Sequence, residues 1–114
     1  MEKKNIILDK SIEFALEIIE YSELLEEQKK YVIARQLLKS GTSIGANICE
    51  AQSSESRADF IHKLKISAKE ARETEYCLLL CDNSRNYPET KELIKMVKDL
   101  QRILSKIIIT CKIT

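Results

Sequence analysis

Two sets of side chains in this 114-residue chain have the types and spacing that chemistry uses. The first is carboxylate. Glu50 stands among apolar residues, Glu75 falls within a helical core arc, and Glu70 and Glu73 lie nearer its edge; ionised carboxylates beside a core need partners or a task. As a pair they could serve as acid and base or hold a metal. The usual companions are missing: His62, between Ile61 and Lys63, reads as a surface residue, and there is no carboxylate-x-x-His pairing of the di-iron bundle type. The preferred reading is a hydrogen-bonded network that sets helix register. Lys65, Lys69 and Arg72 are its nearby cations, and Arg35 and Ser43 are placed to reach across from the preceding segment. The second set is basic. Lys91, Lys95, Lys98, Arg102 and Lys106 are spaced 4, 3, 4 and 4, one row along a helix. Such a row can contact successive phosphates in a sequence-independent, salt-sensitive way. Aromatic stacking partners are scarce on that face, which argues against base reading of single strands. The competing reading is a solvated Lys face, or one that pairs with an acidic neighbouring subunit.

The stretch "KSGTSIGANICEAQS" at 39–53 holds both glycines of the chain. A phosphate-cradling loop needs a strand before it and a Lys-Ser/Thr after it, and neither is present. Ile33, Leu37, Ile44, Ile48 and Ala51 instead keep one helical phase straight through the glycines. Two interior glycines cost a helix about 1 kcal/mol each against Ala, so something must offset them. Ala34, Leu38, Gly41, Gly45 and Cys49 line up as a small-residue groove that lets another helix backbone approach closely. Beside it, Gln36, Ser40, Ser43, Asn47 and Glu50 stack as a polar edge. The four cysteines, Cys49, Cys77, Cys81 and Cys111, are expected as buried thiols. Cys77 and Cys81, four apart, would make half a metal site, but the close C-x₂-C pairs of a zinc ribbon are absent. Neither metal nor cofactor is expected.

The elements that position these residues follow from the apolar period. Few Gly, one Pro and many Leu, Ile, Lys and Glu point to long helices. Turn signals fall at "EEQKK" (26–30), "SSES" (53–56) and "DNSRNYPE" (82–89), the last placing Pro88 in the first turn of a helix. The expected fold is all-α: a single-domain, up-down antiparallel four-helix bundle with helices over about 6–25, 29–53, 56–83 and 88–112. In the first helix Leu8, Ile12, Ala15, Leu16 and Ile19 are expected to face the core, with Phe14, Ile18 and Tyr21 as a second apolar seam. The third uses Phe60, Leu64, Ala71 and Leu78, with Glu75 inside the same arc and Glu70 and Glu73 nearer the other edge. In the fourth, Leu93, Val97, Leu100, Leu104, Ile107, Ile108 and Cys111 form the core stripe, widened by Met96 and Ile103. Apolar seams beyond what a small bundle needs point to a partner helix, often from a second copy, or to a thick core.

The net charge of +1 exerts no global pull on nucleic acid, but it hides a dipolar surface: Met1–Glu27 holds eight acidic residues against three Lys. No signal peptide or membrane span is legible, so a soluble, cytoplasmic protein is expected.

Residues 40–80, "SGTSIGANICEAQSSESRADFIHKLKISAKEARETEYCLLL", strongly resemble the small four-helix-bundle family encoded in intervening sequences of bacterial large-subunit rRNA genes, often labelled a ribosomal protein. The resemblance rests on Ser43, Ile44, Asn47 and Glu50 as S-I-x-x-N-x-x-E, on Phe60, and on Lys69, Glu70, Glu73, Thr74 and Tyr76 in "KEARETEY". Cys77 stands where relatives often carry Trp. Gly41, Ser43, Gly45, Asn47, Glu50, Glu70, Glu73 and Tyr76 are thereby structural signature residues. The resemblance implies no enzymatic activity and a homopentamer, the assembly of relatives that include the accessory protein of diversity-generating retroelements. That protein binds nucleic acid through a basic surface and partners a reverse transcriptase. The expected function is a non-enzymatic oligomer that binds RNA or DNA backbone, or a nucleic-acid-processing protein. The alternative is a scaffold that binds protein only.

Overall fold

The computed structural model describes residues 5–113, so the charges of Glu2, Lys3 and Lys4 counted above lie outside the described residues. Four helices follow one another: α1 (Ile6–Glu27), α2 (Tyr31–Ala51), α3 (Arg57–Asn83) and α4 (Lys91–Ile113). α1 packs on α2 and α4, and α3 on the same two, so the bundle is a square with α1 facing α3 across the core. Short connections make successive helices antiparallel.

The helix ends have local causes. The Asn5 side chain accepts the Leu8 N–H at 3.2 Å, and Ser56 accepts that of Asp59 at 3.0 Å, each satisfying a donor that a helix start leaves free. α1 stops where Lys29 turns left-handed at φ 63° and the Lys30 N–H returns to the Leu25 carbonyl at 2.9 Å. After α3, Asn86 takes φ 64°. Pro88 does not open α4 as expected: it lies in the connection, three residues before the helix. Its carbonyl accepts the Tyr21 hydroxyl at 2.7 Å, and Thr90, fully buried, donates its hydroxyl to the Leu78 carbonyl at 3.1 Å. These two bonds tie the α3–α4 connection to α1 and α3, which is why the helix waits until Lys91.

The core corrects the expectation for α1. Ile7, Ser11, Phe14, Ile18, Tyr21, Ser22 and Leu25 are buried, whereas Ile12, Leu16 and Ile19 are 50%, 59% and 38% exposed and Leu8 and Ala15 half-buried. The seam taken as secondary is the core seam. Polar Ser11 and Ser22 interrupt its apolar pattern, which is why period alone ranks it second. Ser11 satisfies its hydroxyl within its own helix, donating to the Leu8 carbonyl at 2.7 Å.

α2 runs unbroken through both glycines, and α1 is the backbone that approaches. A Cβ on Gly41 would lie 2.9 Å from Cγ2 of Ile18, and one on Gly45 3.0 Å from Oγ of Ser11. Small residues on both helices thus set their spacing. The groove is not uniformly buried: Leu38 and Cys49 are exposed at its outer lip. On α4 the first four stripe residues, Leu93, Val97, Leu100 and Leu104, are buried, and Ile107, Ile108 and Cys111 are half-buried near the open end.

Candidate nucleic-acid interface

α4 places its row of cations by simple rotation. Lys91, Lys95, Lys98, Arg102 and Lys106 are all exposed, on the side away from buried Leu93, Val97, Leu100 and Leu104. Three of the five have carboxylate neighbours. Lys91 lies 3.9 Å from Glu89 and Lys95 3.6 Å from Glu92, both pairs largely in water, where such contacts are weak. Arg102 holds Asp99, which also accepts the Lys10 ammonium from α1 at 2.9 Å. Lys10 first and Arg102 next keep the Asp99 carboxyl below its ordinary range. Lys98 and Lys106 form no ion pair among the described residues. The row is therefore free at Lys98 and Lys106, lightly masked at Lys91 and Lys95, and engaged at Arg102.

The signature residues separate into two groups. Gly41 and Gly45 face α1. The others share the α2–α3 side. Ser43 donates to the Lys39 carbonyl at 2.7 Å, Asn47 to the Ser43 carbonyl at 2.9 Å, and Glu50 lies 3.7 Å from Lys63. Glu70, Glu73 and Tyr76 line an open cleft of about 610 Å³ together with Gln36, Lys39, Ser40, Arg72 and Cys77. Partial burial and then Glu73 raise the Glu70 carboxyl, while Lys39 and Lys69 counter them. At the cleft floor the buried Thr74 and Ser40 hydroxyls meet at 2.9 Å, and nearby Ser67 donates to the Ile44 carbonyl at 2.8 Å. Arg35 and Ser43 do not reach across: Arg35 is exposed with no ion pair among the described residues, and Ser43 donates to the Lys39 carbonyl of its own helix. Glu75 faces the other way, accepting Gln101 of α4 at 2.9 Å.

Among the described residues no three His, Cys, Asp or Glu gather as a metal group. Cys77 and Cys81 are buried, and burial raises both thiols. Cys49 is exposed and Cys111 half-buried, contrary to the expectation of four buried thiols. Among the described residues no helix is long and apolar enough to cross a membrane.

The sequence reading of α3's cations needs correction. Lys65 and Arg72 form no ion pair with Glu70, Glu73 or Glu75. Lys65 faces α4, in a cleft shared with Ser105, Ile108 and Ile109, and Arg72 borders both that cleft and the one that holds Glu70 and Glu73. The spacing Lys65, Lys69, Arg72 signalled a basic edge on α3, but not which neighbour it would meet.

A family model described as 23S rRNA-intervening sequence protein matches residues 3–108. A crystal structure of a protein with unknown function from the S23 ribosomal protein family of Bacteroides thetaiotaomicron is similar at 45% sequence identity and a TM-score of 0.84, over 90% of this chain and 97% of that one. No curated protein matches the chain.

Proposed function

Since the chain belongs to the 23S rRNA-intervening sequence protein family, we propose that it acts by binding rather than catalysis, as a self-associating bundle that holds RNA or DNA backbone on the outer face of α4. The observation that carries this reading is the row of five exposed cations, of which Lys98 and Lys106 have no carboxylate partner among the described residues. Cations in a line on a rigid helix release counterions when they meet phosphates, and that is the main source of non-specific affinity. The α2–α3 carboxylates fit the role of register: Glu50 faces Lys63, Glu75 accepts Gln101, and Glu70 and Glu73 border an open cleft rather than an enclosed cavity.

Self-association has its own support. Ile12, Leu16 and Ile19 lie exposed on the flank of α1 turned away from Lys10 and α4, beside Leu38 and Cys49 on the lip of α2. A second copy of this chain is the proposed cover, in the homopentamer that the family resemblance implies. Exposed Glu13 and Glu23 border that flank and would attract basic residues of a neighbour, whereas Glu17 and Glu20 share a cleft with Lys91 and Lys95 of α4.

RNA binding measured against salt tests the function, with Lys95, Lys98 and Arg102 changed to Glu. The variant should lose about a hundredfold in affinity at low salt; unchanged affinity would remove the row from the function and favour a protein-only scaffold. Light scattering tests assembly separately, since a monomer at micromolar concentration would leave the α1 seam without a cover.

A further inference from the structure

A second positive feature lies outside the row on α4. Between the C-terminal half of α4 and the N-terminal half of α3 lies a cleft of about 390 Å³ lined by Lys65, Ala68, Arg72, Ser105, Ile108 and Ile109. None of the six is acidic. Lys112, one turn beyond Ile108 on the same face of α4, lies near enough to Lys65 for its charge to lower the Lys65 pKa. Lys65, Arg72 and Lys112 have no ion pair among the described residues. Of the neighbouring acids, Glu75 accepts Gln101 of α4, and Glu70 and Glu73 border the α2-side cleft, which Arg72 also lines, without an ion pair to it. Two neighbouring ammoniums without a counter-ion repel, and an anion between them offsets that repulsion. The cleft offers such an anion three cationic donors and the Ser105 hydroxyl over an apolar floor, a donor set matched to the several oxygens of a phosphate. Arg102 precedes Ser105 by one helical turn, so the cleft continues the α4 row.

We propose that the α3–α4 cleft, with Lys65, Arg72, Lys112 and Ser105, is a phosphate-binding pocket that seats one phosphodiester of a nucleic-acid strand lying along α4. The source of the phosphate rests on the function proposed above; the anion site itself does not. The experiment uses the full chain and a short fluorescein-labelled single-stranded RNA, comparing the parent with the triple variant Lys65→Gln, Arg72→Gln, Lys112→Gln. Affinity should fall about tenfold or more at low salt, and the slope of log affinity against log salt should shrink by about 2, from three lost contacts at about 0.7 each. The melting temperature should not fall, because the variant relieves like-charge repulsion. Unchanged affinity and slope overturn the pocket even where the α4 row is confirmed. If the parent binds no RNA, the phosphodiester claim fails with the function. Inorganic phosphate, followed through the amide NMR shifts of Lys65, Ala68 and Ser105, then judges the anion site alone. Saturable shifts that vanish in the triple variant uphold that site, and their absence overturns it.

Discussion

The α1–α2 junction and the α3–α4 junction occupy equivalent edges of the same square bundle and are built from opposite materials. At the first, a Cβ on Gly41 would clash with Ile18 and one on Gly45 would press on the Ser11 hydroxyl, and the helices close on each other. At the second, Lys65, Arg72 and Lys112 bring charge without a counter-charge, and a cleft stays open above Ala68 and Ser105. A junction closed by small residues gains dispersion contacts and tolerates little change. A junction lined by unpaired cations gains nothing from closure, and its residues can be altered at little cost to the fold. The difference separates what holds this protein together from what it presents.

That contrast can be broken in graded ways. Gly41→Ala is the severest test. The new Cβ would meet Ile18, which is fully buried and branched at Cβ, so overpacking should outweigh the helix-propensity gain and cost about 1–2 kcal/mol in denaturant unfolding. Next is Ser67→Ala, which removes the bond that crosses from α3 to the Ile44 carbonyl inside the core; a loss of about 1 kcal/mol is expected by the same measurement. A smaller change should follow Asp99→Asn. Asp99 is bound by Lys10 and Arg102, and its folded pKa lies below the unfolded one. Its stabilisation is therefore present at neutral pH and is lost as pH falls below the ordinary aspartate range of about 4. The Asn variant should lose less than about 1 kcal/mol at pH 7 and flatten that acid dependence. It should also bind RNA severalfold more tightly, because Arg102 and Lys10 are released; weaker binding would argue against the α4 row. The smallest effect belongs to Gly45→Ala. Its Cβ would meet a serine hydroxyl that can turn aside, so unfolding should shift by no more than about 0.5 kcal/mol, and a loss as large as that of Gly41→Ala would show that the whole α1–α2 seam is equally rigid.

Much of the architecture was legible before any coordinates. The 3.6-residue period of Leu93, Val97, Leu100 and Leu104 declares both the buried stripe of α4 and the exposed cations opposite it, because one helix cannot turn both faces inward. Phase continuity through Gly41 and Gly45 likewise declares an uninterrupted α2. Where the reading went astray, two answers were locally equivalent. α1 offers two apolar seams, and the richer one, with Ile12, Leu16 and Ile19, is outside. Burying Ser11 costs little because its hydroxyl is satisfied within the helix, and its small size admits α2. Pro88 carried a sound helix-start signal, but the Tyr21 and Thr90 bonds come from other elements and delay the helix.

By itself the sequence determined the four helices, their order, the family and the basic row, since each depends on residues near one another along the chain. Only the tertiary structure decided which α1 seam is core, that α1 is the helix the glycines admit, and that Lys65 and Arg72 border a cleft with α4 without pairing to the glutamates beside them. Those outcomes depend on which faces meet across the bundle, and helical spacing places a side chain on a face without naming the neighbour opposite it.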